Sequence, residues 1–184
     1  MNYGEVFAKV LTDALKREEE ELHGLAANGE NSRQTVKSVK EYYESWLSVP
    51  LTKEALRNSC VPRLEWEKDR VDIKFLGDGD KPVATFEIKF ENVSRKPDVV
   101  RRIVKDFRKQ SEVVLSDKGS AEHYCVLVLC GDRQDVEGWQ PTELQELVKD
   151  RYPSIRLTLI RCPEYLELNA GGCLGVFAIR VAQA

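Results

Sequence analysis

The stretch from Arg70 to Phe90, RVDIKFLGDGDKPVATFEIKF, decides the fold. Val71, Ile73 and Phe75 alternate with Asp72 and Lys74, and Phe86, Ile88 and Phe90 alternate with Glu87 and Lys89. A period of two predicts two β-strands, each with one apolar and one charged face. The intervening GDGD supplies the turn. A two-residue turn at Gly79-Asp80 pairs Asp78 with Lys81 and, carried back along the strands, sets Asp72 opposite Glu87. A turn at Asp78-Gly79 shifts the register by two and leaves the same residues as diagonal neighbours. In both registers Asp72, Glu87 and Lys89 project to one side of an antiparallel hairpin.

Outward from the hairpin, Leu64 and Trp66 continue the alternation on the N-terminal side, which makes a β-meander. On the C-terminal side Pro97 opens a helix carrying Val99, Val100, Ile103, Val104, Phe107 and Val114. The near-continuous apolar run YCVLVLC, Tyr124 to Cys130, predicts a strand buried on both faces. A loop, DRQDVEGWQP, precedes a helix from Thr142 to about Arg151, and the runs IRLTLIRC and CLGVFAIRV read as two further strands. Before the meander, Asn2 and Glu5 form a capping-box pattern ahead of a helix of about six turns, with Val6, Phe7, Val10, Leu11, Ala14, Leu15, Leu22 and Leu25 at helical spacing. A second helix is expected from Ser32 to Leu47, stopped by Pro50. The whole predicts a mixed α/β sheet with helices on both faces.

The chain has 184 residues, and 28 Lys+Arg against 31 Asp+Glu give a formal charge of −3. This length suits one domain spanning 1–184 with a full hydrophobic core. With 42% hydrophobic and 32% charged residues it reads as a folded soluble protein, neither disordered nor membrane-embedded. The slight negative charge excludes a uniformly basic nucleic-acid binder, so such a role must rest on a local patch. Cys60, Cys125, Cys130, Cys162 and Cys173 show no C-x-x-C spacing and read as reduced thiols of a cytoplasmic protein. The two histidines, His23 and His123, carry no ligand motif, which sets zinc aside. No signal-peptide pattern or membrane-spanning run is expected.

Three features carry chemistry. Two carboxylates on adjacent strands repel, and a cation is the natural compensation; oxygen-only ligation favours Mg²⁺ or Mn²⁺ over softer metals. A solvated outer face with a Glu-Lys pair is the plainer alternative. On the first helix, Glu18 falls in the middle of the core-facing stripe, where a carboxylate needs a partner. Glu21 is the second choice, and a stripe that has simply reached the surface in REEEE is the alternative. On the helix after the hairpin, Arg101, Arg102, Lys105, Arg108 and Lys109 are expected opposite the apolar face. That basic side suits a phosphate backbone, or else is a solvated helix surface.

Asp72 followed by Glu87-Ile88-Lys89, within this element order, resembles the PD-(D/E)xK nuclease superfamily, whose restriction-endonuclease-like core runs α-β-β-β-α-β. The resemblance covers roughly Asn2 to Cys130. Val71, in place of Pro, precedes the Asp, and where some branches carry Gln-x-x-x-Tyr on the following helix, Gln110 is followed here by Val114. The resemblance implies phosphodiester hydrolysis, with DNA as the partner. Asp72, Glu87 and the Ile88 carbonyl would bind Mg²⁺ or Mn²⁺, Glu18 would complete the shell directly or through water, and Lys89 would orient the attacking water. A homodimer or larger complex stays open, as does a restriction-like fold used as a binding or immunity module. No P-loop or G-x-S-x-G motif competes.

Overall fold

The computed structural model describes residues 2–17, 48–66, 72–93, 96–116, 120–160, 164–167 and 172–184, and at residues 48, 72, 92 and 96–99 it describes the backbone alone. Helix α1 (Tyr3–Arg17) starts where expected: the Asn2 side-chain oxygen accepts the Glu5 N–H at 3.3 Å and the Asn2 carbonyl accepts the Val6 N–H at 3.2 Å. The expected helix over Ser32–Leu47, and the end of the first helix with Glu18 and Glu21, lie outside the described residues. Helix α2 (Ser48–Arg57) is an element the sequence reading did not contain, and the helix that Pro50 is expected to stop lies outside the described residues. Pro50 sits in the first turn, where a missing N–H leaves no helical bond unmade.

Strands β1 (Arg63–Trp66), β2 (Asp72–Leu76) and β3 (Pro82–Asn92) form the expected antiparallel meander. The turn is neither of the two-residue forms. Asp78–Asp80 make one turn of 3₁₀ helix, with Gly79 and Asp80 both left-handed at φ 68° and 60° and the Gly77 N–H bonded to the Lys81 carbonyl at 2.8 Å. Arg63 holds the Asp80 carboxylate from the neighbouring strand at 2.7 Å. Register then shifts between Phe75 and Leu76, with Leu76 opposite Pro82 and Phe75 opposite Ala84. The bulge offsets the longer turn, so Asp72 still lies opposite Glu87.

Helix α3 (Lys96–Ser116) crosses from β3 to β4 (Glu122–Asp132), which pairs parallel to β3. A short helix α4 (Arg133–Glu137) interrupts the expected loop, and α5 (Thr142–Lys149) follows. The C-terminal strand β7 (Gly172–Gln183) pairs with β4, and its other edge carries β5 (Ile155–Leu159) and β6 (Glu164–Glu167) end to end. Seven described strands thus make one mixed sheet flanked by helices, in the order β1-β2-β3-β4-β7-β5, with β6 beside β7. Among the described residues no helix is long and apolar enough to cross a membrane.

Each sheet face has its own core. On one face α1 lays Phe7 flat against Phe86, ring centroids 4.1 Å apart, and Phe86 stacks in turn on Tyr124 at 5.2 Å. Burying an aromatic side chain of this kind is worth about 2–3 kcal/mol. On the other face Ile103, Val104 and Phe107 of α3 pack with Leu127, Leu129 and Ile179. The β4 run is buried throughout from His123 to Cys130, as a strand covered on both sides must be.

Candidate metal and nucleic-acid site

Along β3 the parity of the sequence separates two chemistries. Phe86, Ile88 and Phe90 enter the α1-side core, while Glu87, Lys89 and Glu91 meet side chains of α3. The expected charged face is therefore neither bare nor solvated: a helix covers it with charges of opposite sign. The Glu91 carboxylate, 3% exposed, accepts Arg102 Nε at 2.9 and 3.0 Å and Arg102 Nη2 at 2.7 Å. Lys89 Nζ lies 3.0 Å from Asp106 Oδ2, and Lys109 Nζ donates to Glu87 Oε2 at 3.2 Å. Strand positions 91, 89 and 87 thus meet helix positions 102, 106 and 109 in reverse order. Two strand residues advance about 6.7 Å and three to four helical residues about 5 Å, so three rungs stay in step.

The rungs are not equivalent. Arg102 engages both carboxylate oxygens, the strongest arrangement available to an ion pair. The Lys89 contact is a charge contact outside hydrogen-bond geometry, and Asp106 Oδ2 is buried without a hydrogen-bond donor. Lys89 is 28% exposed, enough to reach solvent from the sheet surface.

Asp72, the first described residue of β2, occupies the register position directly opposite Glu87, on the same face of the sheet. No described residue of β2 lies opposite Ile88, which stands one position further along β3. Helix α1 packs on the other face, against Phe75 and Phe86. Glu18, the expected fourth member, lies outside the described residues. Among the described residues no group of three or more His, Cys, Asp or Glu side chains converges on one point.

The five basic residues of α3 lie away from its buried stripe of Ile103, Val104 and Phe107, and two of them turn to carboxylates of β3. The long side chains of Arg102 and Lys109 reach Glu91 and Glu87. Arg101, Lys105, Arg108 and Lys109 line a cleft of about 370 Å³ together with Arg151 and Tyr152. The larger cleft, about 570 Å³, lies elsewhere, between Val93, Ile103, Trp139 and Leu144, and none of its described lining residues is an expected site residue.

Sequence reasoning missed Asp106, Glu91, Arg151 and Tyr152. The signal for the first two was present: signs read plus, minus, plus at 102, 106 and 109 against minus, plus, minus at 91, 89 and 87. Arg151 and Tyr152 are distant in sequence and join the cleft only through the packing of α5 against α3. No protein-family model, curated protein or solved structure matches this chain.

Proposed function

We propose that the chain is a metal-dependent nuclease that hydrolyses phosphodiester bonds in DNA, with Asp72, Glu87 and Lys89 as its catalytic core. The observation that carries this reading is the pairing of Asp72 with Glu87 across β2 and β3, with Lys89 two residues on along the same face. The order of α1, the meander, α3 and a parallel β4 supports a restriction-endonuclease-like core.

The donor set fits a hard cation. Asp72, Glu87 and the Ile88 carbonyl offer oxygen ligands alone, which suits Mg²⁺ or Mn²⁺, and Glu18 is kept as a direct or water-mediated fourth member. A divalent cation bound there supplies Lewis acidity, lowering the pKa of water and offsetting phosphate charge. Lys89 orients the attacking water and donates an N–H to the charge that develops on phosphate. Asp106 holds the Lys89 ammonium in waiting, and releasing that contact breaks no hydrogen bond. Arg101, Lys105 and Arg108 hold the strand by its phosphates.

One observation favours a second reading, a restriction-like binding or immunity module without cleavage. Glu87 and Lys89 are both engaged by α3 charges that hydrolysis does not require. Incubation with duplex, single-stranded and structured nucleic acids at low salt, with Mg²⁺ or Mn²⁺, separates the two. Cleavage that a chelator abolishes supports the nuclease. Each phosphate contact contributes about 0.9 to the slope of log affinity against log salt, so Arg101→Ala with Lys105→Ala flattens that slope by roughly two units. A wild type that neither cleaves nor binds nucleic acid hands the argument to the second reading.

A further inference from the structure

We infer that phosphate binding in the α3 cleft and metal binding at Asp72 and Glu87 are coupled through one side chain, Lys109. The inference rests on the nuclease reading above and adds how substrate would license the metal site.

Arg101, Lys105, Arg108, Lys109 and Arg151 bring five cations to the cleft. The one carboxylate among its described lining residues, Glu112, accepts the Tyr152 hydroxyl. Arg151 lies over the Tyr152 ring, 5.8 Å from its centroid. Among the described residues neither Arg101 nor Lys105 has a carboxylate partner. Arg108 supplies the observation that points to an anion: one end of its guanidinium reaches the Leu147 carbonyl at 3.4 Å, while Nε is buried with no acceptor. A buried guanidinium N–H without an acceptor is costly, and turning the Arg108 side chain toward a phosphate in the cleft would expose that N–H and give it an acceptor. Charge and the unfilled donor together select a phosphodiester strand as the occupant.

Lys109 belongs to both places. It lines the cleft, and its Nζ donates to Glu87 Oε2 at 3.2 Å. An ammonium on Glu87 opposes a divalent cation arriving at the same carboxylate, since like charges a few ångströms apart repel. A phosphate in the cleft offers Lys109 a competing anion. Drawn to it, the ammonium opposes the metal at Glu87 less, and each ligand strengthens the binding of the other by the same factor.

The test titrates Mn²⁺ by loss of its free electron paramagnetic resonance signal, with wild type and Lys109→Met. Each protein is measured alone, with saturating octadeoxythymidylate, and with its neutral methylphosphonate analogue. Readings are taken in the cold before turnover. For wild type the Mn²⁺ Kd should fall about tenfold with the phosphodiester and stay unchanged with the neutral analogue. Lys109→Met should bind Mn²⁺ more tightly than wild type when alone, and the phosphodiester should then change its Kd by less than threefold. A tenfold effect that survives in Lys109→Met overturns the coupling, because the metal would then be sensing phosphate directly. Mn²⁺ affinity of Lys109→Met no higher than wild type overturns it as well. Absence of Mn²⁺ binding to either protein, with or without oligonucleotide, removes the metal site itself and the coupling with it.

Discussion

Replacing Arg102 by Ala should cost about 2–3 kcal/mol of stability. Glu91 is 3% exposed, and its carboxylate takes three hydrogen-bond-length contacts from the Arg102 guanidinium. Breaking a fully buried pair by removing one partner costs about 3–5 kcal/mol. The Arg102 side chain is 42% exposed, so water admitted at that end recovers part of the loss and brings the expected value below that range. Replacing both residues by Leu removes both charges and should leave stability within about 1 kcal/mol of wild type. The signature is therefore a large loss for the single variant beside a small loss for the double replacement. Urea unfolding followed by circular dichroism reads this as a midpoint lowered by about 1 M for Arg102→Ala, with unchanged slope. A single variant within about 0.5 kcal/mol of wild type would refute the claim that this rung anchors α3 to β3.

Two further predictions concern the rest of the core. A Cβ at Gly4 would stand 2.5 Å from Tyr124 Cε1, and that ring is fixed by its stack on Phe86 and by a 2.6 Å hydrogen bond from its hydroxyl to Glu122. Gly4→Ala should thus lose about 1 kcal/mol despite the better helix propensity of Ala, and a higher urea midpoint would contradict the contact. Burial first, and the nearby Glu167 carboxylate second, push the Cys173 thiol up to about 11 from an ordinary 9.0. The folded protein then holds a proton that the unfolded chain releases, so this contribution is intact below pH 9 and is lost as pH rises toward 11. Stability of wild type should fall more steeply across that window than stability of Cys173→Ala, and parallel profiles would count against the assignment.

Much of the fold was legible because local chemistry and global packing agree. Alternation fixed the meander, Asn2 fixed the start of α1, and the unbroken run at Tyr124–Cys130 announced a strand covered on both faces. The pairing of Asp72 with Glu87 was reached although the turn differs, because a bulge of one residue compensates a turn that sequence alone leaves ambiguous. Helix α2 was missed because Pro50 was read only as an ending, whereas a proline in a first turn opens a helix equally well. β6 was missed because four residues, EYLE, are too few to show a period, and they pair only where β5 leaves the β7 edge. The charged site was half legible. Its strand positions follow from parity, whereas which α3 residues meet them depends on how the helix is set on the sheet, which a helical wheel does not carry.

The most direct measurement sets metal binding beside turnover in the same samples. Wild type, Asp72→Ala, Glu87→Ala and Lys89→Ala are each titrated calorimetrically with Mn²⁺ and assayed for cleavage of a labelled DNA. Asp72→Ala and Glu87→Ala should lose most of the Mn²⁺ heat together with cleavage. Lys89→Ala should keep the heat and lose cleavage, because its contribution belongs to the transition state. Wild-type Mn²⁺ binding by Asp72→Ala, or wild-type cleavage by Lys89→Ala, would contradict the account.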